Sequence, residues 1–138
     1  MEFYPMPMFN KLLVSDIEKS EKWYEKALGF KSIFKFRNDK SVVLMNHLRL
    51  DKYQDIMLIQ SNNFIVGDSN YLNILVEDIE RLANRISPKV IVDSLEQQPW
   101  NAIEMTITDP DGHLITLTQS NVGKEDFDVL IKKASKLF

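Results

Sequence analysis

Apolar and polar residues alternate with a period of two over residues 8–14, so Asn10, Leu12 and Val14 share one face of a strand and Phe9, Lys11 and Leu13 the other. Beyond position 16 the period lengthens to that of a helix. Ile17, Tyr24, Ala27 and Leu28 fall on one stripe with Trp23 at its margin, while Glu18, Lys19, Glu21, Lys22, Glu25 and Lys26 make the polar side. Ser15 or Asp16 caps the helix, with Glu18 at the capping-box distance from Ser15, and Gly29 stands where a left-handed terminator belongs. The twofold period returns over 30–36 and 41–46, separated by the turn residues Asn38, Asp39 and Lys40. A polar stretch, 47–54, then precedes a strand at 55–60. The first half predicts the order β-α-β-β-β.

That order recurs. A strand at 71–76 leads to a helix from Asp78 to about Ile86, with Ile79, Leu82, Ala83 and Ile86 inward and Pro88 as its stop. Residues 90–95 read as a strand and 96–101 as a loop holding Pro99 and Trp100. Residues 102–108 alternate again, with Ile103, Met105 and Ile107 opposite Glu104, Thr106 and Thr108. Asp109-Pro110-Asp111-Gly112 is a hairpin turn, and 113–119 is the closing strand. Val14-Ser15-Asp16-Ile17-Glu18 reappears as Val76-Glu77-Asp78-Ile79-Glu80, about 62 positions later, and DIMLIQ at 55–60 is matched by LITLTQ at 114–119. The chain therefore predicts one α+β domain over 1–138, built of two β-α-β-β-β modules at about 8–60 and 71–119 and joined by the polar segment 61–69. Phe127, Leu130, Ile131, Ala134, Leu137 and Phe138 add an amphipathic tail helix over about 124–138, whose apolar face needs its own sheet or a partner subunit to cover it.

The bulk properties narrow the function classes. The 138 residues are 44% hydrophobic, enough for a continuous core. With 17 basic and 20 acidic residues and no long basic run, no nucleic-acid partner is expected. There is no cysteine, hence no disulfide, thiol nucleophile or thiolate metal site. No secretion signal or membrane-spanning run is evident, which leaves a cytoplasmic protein with no membrane partner as the expectation.

The repeated unit, together with Pro99-Trp100 and DPDGHLITLTQ at 109–119, resembles the vicinal oxygen chelate superfamily over about residues 8–120. That superfamily comprises glyoxalase, bleomycin-resistance and extradiol dioxygenase proteins. The resemblance implies two modules whose sheets curve into a half-open barrel around a cleft, with helices outside, and commonly a homodimer. In its metal-using members four inward strand positions carry His, Gln or Glu ligands. Carried over, those positions fall on Phe9 and Met57 in the first module and on Tyr71 and Thr116 in the second. None suits a divalent catalytic ion. The resemblance thus implies the metal-free, ligand-sequestering branch, with no metal or cofactor and a small organic molecule as the partner.

Strand alternation independently gathers Phe9, Lys11, Leu13, Met57, Ile59, Tyr71, Asn73, Leu75, Leu114, Thr116 and Thr118 on inward faces, a mainly apolar surface with a few polar points. Lys11 either meets an anionic group of the ligand or snorkels to the rim. Trp100 either stacks on a flat or cationic ligand or covers a sheet edge. His47 and its neighbour Arg49 are candidate ligand contacts, whereas His113 points away from Thr116 and reads as a surface or helix-facing histidine. Asp16, Asp78, Asp109 and Asp111 have sufficient roles as caps and turn residues. Three functions follow: metal-independent binding of a small organic molecule, a lyase or isomerase using Glu104 or His47 as acid or base, or a non-catalytic dimeric module whose cleft Phe9, Tyr71 and Met57 fill.

Overall fold

Each module folds as its periodicity dictates. In the computed structural model, which describes residues 3–121 together with Val129, Lys132 and Ser135, the order is β1 (Asn10–Val14), α1 (Ile17–Leu28), β2 (Lys31–Arg37), β3 (Val43–Asp51), β4 (Gln54–Gln60), β5 (Tyr71–Leu75), α2 (Ile79–Arg85), a single 3-10 turn (Pro88–Val90), β6 (Ile91–Gln98), β7 (Ala102–Thr108) and β8 (Leu114–Ser120). The first sheet has the strand order β1-β4-β3-β2 and the second β5-β8-β7-β6. This is the expected α+β architecture. The tail helix expected over 124–138 lies largely outside the described residues.

The chain divides into two compact units, one of residues 1–72 with Thr108–Leu114, the other of Asn73–Ile107 and the chain from Ile115 onward. In the first, β1 runs parallel to β4 with Leu12 opposite Leu58, and β3 runs antiparallel to β4 with Leu48 opposite Ile56. These side chains and Val14 are buried, together with Ile17, Tyr24, Ala27 and Leu28 of α1. The helix stripe read from the sequence is therefore the stripe that packs. Tyr24 lies edge-on to Phe30, with ring centroids 5.6 Å apart, and its hydroxyl donates to Asp109 Oδ2 at 2.7 Å. Burial, then the charge and hydrogen bond of Asp109, push the Tyr24 phenol well above its usual pKa. Asp109 Oδ1 accepts from the N–H groups of Asp111 and His113, and Asp111 accepts from the Ser15 hydroxyl at 2.6 Å. His113 Nε2 lies 2.7 Å from the Leu13 carbonyl and its ring stacks on Phe64. The turn aspartates thus hold structure, as expected, and His113, expected on the surface or facing a helix, joins them through the Leu13 carbonyl.

The second unit buries Ile74, Ile79, Ile86, Met105, Ile107, Ile115 and Leu117. Its helix starts as α1 does. Asp16 accepts from the Lys19 N–H and Asp78 from the Arg81 N–H. Gln60 Oε1 accepts from the Ile17 N–H at 2.9 Å, and Gln119 Oε1 from the Ile79 N–H at 2.8 Å. The glutamines that end the two matched closing strands thus each satisfy an otherwise orphaned donor of a helix.

Two boundaries differ from the sequence reading. Residues 47–51 continue β3 rather than forming a polar connection: Leu48 keeps the alternation on the buried face, and the polar residues at 47 and 49 take the other. Residues 96–98 continue β6 rather than opening the loop, with Glu96 opposite Glu104 and Gln98 opposite Ala102. The turn shrinks to Pro99-Trp100-Asn101 because Asn101 adopts φ +58°, a left-handed conformation that asparagine tolerates well.

Gly29 closes α1 at φ +88°, where a Cβ would meet only Leu50 Cδ1 at 3.8 Å. Gly29→Ala should therefore cost about 1 kcal/mol through backbone strain alone. Gln60→Ala should cost about 1–2 kcal/mol, because it strips the Ile17 N–H of its acceptor and the Ser15 carbonyl of a donor. Urea midpoints measure both; an unchanged midpoint for Gln60→Ala would mean that water replaces the amide without loss.

Candidate functional site

The helix-free face of the first sheet is fixed by its register. Lys11 lies opposite Met57, Met57 opposite His47, and His47 opposite Phe34. One row along, Leu13, Ile59, Met45 and Phe36 align in the same way. Two residues before Met57, and so on the same face, stands Asp55. Its side chain is 1% exposed. An ionised carboxylate so placed requires donors, and three reach it: Tyr4 Oη at 2.6 Å on Oδ2, and Arg49 Nε at 2.6 Å and His47 Nε2 at 2.8 Å on Oδ1. The Arg49 guanidinium also lies 4.2 Å from the Tyr4 ring centroid.

Burial pushes the Asp55 carboxyl up, but the hydrogen bonds from Tyr4, Arg49 and His47, with the charge of Arg49, outweigh it and hold its pKa below the usual carboxylate value. Tyr4 moves the other way. Partial desolvation and the bond to Asp55 raise its phenol above the ordinary value, against a smaller lowering from the Tyr53 N–H that it accepts. The cluster is an anchored ion pair with an imidazole attached.

Of the expected contacts, the structure brings His47 and Arg49 together on Asp55, with Met57 beside them. Lys11 shares this face but is exposed, so it carries no burial cost; Phe9 is half-buried. The sequence reading passed over Asp55 and Tyr4. Alternation from Met57 gives Asp55, whereas Tyr4 lies 51 residues from its acceptor in a segment without period.

In the second unit Glu104 Oε2 accepts from the Thr118 hydroxyl at 2.8 Å and from Trp100 Nε1 at 3.3 Å, and Asn73 Nδ2 donates to Thr118 Oγ1 at 2.9 Å. Four residues singled out in the sequence thus form one hydrogen-bonded chain. Thr116 Oγ1 lies 2.8 Å from Thr106 Oγ1 and is buried, while Tyr71 is 56% exposed.

The sequence matches the Glyoxalase/Bleomycin resistance protein/Dioxygenase superfamily over residues 7–117. The chain belongs to this superfamily. Solved structures share the superfamily fold: TioX from Micromonospora sp. ML1 superposes with a TM-score of 0.66 at 18% identity, covering 81% of this chain and 96% of its own. A glyoxalase-related enzyme from Clostridium phytofermentans gives 0.65 at 18% identity, with coverages of 86% and 97%. FosX, a fosfomycin resistance protein from Listeria monocytogenes, gives 0.67 at 12% identity, with coverages of 87% and 97%. No curated protein matches the chain.

The superfamily's metal-using members raise the question of whether a divalent ion fits here. The donor set at the four carried-over positions does not suit one. Phe9 has no donor atom, Met57 offers a buried thioether, Tyr71 a phenol, and the Thr116 hydroxyl is engaged by Thr106. Among the described residues no three His, Cys, Asp or Glu side chains gather as a metal would require. No helix of the described residues is long and apolar enough to cross a membrane.

Because the folded state lowers the Asp55 pKa, the unfolded state binds this proton more tightly, and stability rises with pH through the window between the two values. The contribution is complete above the unfolded carboxylate value of about 4 and fades as pH falls through the folded one. Asp55→Asn should flatten this acid limb in urea midpoints measured against pH; parallel limbs for the two proteins would remove Asp55 as its source. Asp55→Ala, which removes the buried acceptor shared by Tyr4, His47 and Arg49, should cost about 3 kcal/mol.

Proposed function

We propose that this protein binds a small organic molecule without the help of a metal, on the helix-free face of its first sheet. The observation that carries the reading is the pair Phe34 and Phe36. Both belong to β2, at the edge of the sheet, and both are exposed, at 56% and 46%, with ring centroids 4.6 Å apart at an interplanar angle of 70°. Two adjoining exposed rings leave apolar area in water that a flat ligand would cover. Beside them His47 is held by Asp55, giving an oriented polar group next to apolar surface, the composition of an organic-ligand site. The donor set at the carried-over metal positions supports the metal-free part. FosX is named a fosfomycin resistance protein, which supports a small antibiotic as one class of ligand.

The His47–Asp55 contact of 2.8 Å favours a second reading, in which the imidazole moves a proton on the bound molecule. Turnover of a bound compound that His47→Ala abolishes without loss of binding would select this enzymatic reading.

A thermal-shift screen of metal-assayed protein against aromatic compounds of either charge tests the proposal, since a ligand selective for the folded state raises the melting temperature. A stabilising compound is expected with protein free of metal, and Phe34→Ser should weaken it about tenfold. Stabilisation that requires a divalent ion would overturn the metal-free reading. Unchanged affinity, together with a loss of dimer in Phe34→Ser, would assign the rings to contact between two copies.

A further inference from the structure

At the Lys31 end of β2 the first unit holds an open cavity of about 520 Å³. Its wall combines apolar surface from Ile33, Leu50 and the Tyr4 ring with the cations Lys31, Arg49 and Lys52. Among the described residues the one acid in the wall is Asp51, whose carboxylate accepts from the Lys52 N–H at 2.7 Å. Lys31 and Arg49 stand directly opposite each other across the β2–β3 pair. Like charges so placed repel. Asp55 offsets the charge of Arg49 from behind, but among the described residues Lys31 forms no salt bridge. Among the described residues the wall therefore holds more cations than acids, in a chain whose net charge is −3.

Arg49 is also held in place. Its Nε is bound to a buried carboxylate and its guanidinium rests on an aromatic ring, so little side-chain freedom remains to be lost when an anion arrives. Cations facing one cavity, one of them already oriented, match a carboxylate, and the Tyr4, Ile33 and Leu50 surfaces match a ring attached to it. We infer that this cavity receives the charged end of an aromatic organic anion. The inference rests on the proposed small-molecule binding and adds the charge class of the ligand and the place of its acid group. Lys31 and Lys52 supply attraction from the rim, and Arg49 the oriented positive charge.

Benzoate and benzamide, which share a ring and differ in charge, separate this inference from the reading beneath it. In amide-resolved NMR, benzoate should saturably shift the backbone signals of Lys31, Leu50 and Lys52. Its affinity should fall as salt rises from about 50 to 500 mM. Benzamide should bind more weakly, and Lys31→Gln, a change at an exposed position, should weaken benzoate about three- to tenfold. Equal binding of the two probes, or no response of these signals to benzoate, would overturn the anion assignment. If compounds in the thermal-shift screen still stabilise the protein, the proposed binding stands without it; if none does, both fall.

Discussion

One buried carboxylate sets the terms for the first unit. Asp55 lies on β4, an interior strand, and a charge there is tolerated only while its hydrogen bonds are made. The donors come from separate places: two from β3 and one from the segment before β1. Meeting that demand ties down the chain start, because the same Tyr4 hydroxyl that donates to Asp55 accepts from the Tyr53 N–H. It also supports the backbone at Tyr53, which closes the β3–β4 turn at φ +65°, a left-handed conformation that tyrosine rarely adopts. The ring contact with Tyr4, at 4.8 Å between centroids, holds it there. A requirement of electrostatics inside the sheet thus shapes a turn at its end.

The second unit answers a similar requirement with neutral groups. Glu104 is half-buried rather than enclosed, and a hydroxyl and an indole suffice for it. In both units the helix-side face is the apolar core and the other face carries linked polar side chains. Recognition belongs on the latter, since the former is spent on packing. Chemistry on such a face is limited by the same linkage: a histidine tied to a carboxylate is oriented, while a threonine engaged by another threonine has little left to offer a metal.

The periodic parts of the chain were legible from sequence. The α1 stripe, the Asp16 and Asp78 caps, Gly29 and the Asp109–Gly112 turn stand where residue spacing put them, because each is decided within a few residues; of the α2 stripe, Ile79 and Ile86 are buried and Leu82 and Ala83 half-buried. The stretch 47–51 is polar on the strand face that the helix does not cover, and 96–98 is polar on both faces, so composition suggests loop where pairing makes strand. His47 and Arg49 were recognised as candidates, and Trp100, Glu104 and Asn73 likewise. Their linkage was not readable, since it depends on Asp55 and Thr118 meeting them across strands. Tyr4 had no local signal at all. A contact spanning 51 positions leaves no imprint on periodicity.

The paired glutamines have a consequence for how the two halves diverged. Gln60 and Gln119 each clamp the helix that follows their partner strand, so in both halves one donor of the first turn is met locally, while Ser15 is held as well by Asp111 from the β7–β8 turn. Selection can then hold the clamp in both copies while the helix-free faces drift separately, which is the pattern in the chain: glutamine answers glutamine at the strand ends, yet Phe9 answers Tyr71 and Met57 answers Thr116. The repeat thus sets one frame twice in this protein, and each frame carries a surface of its own.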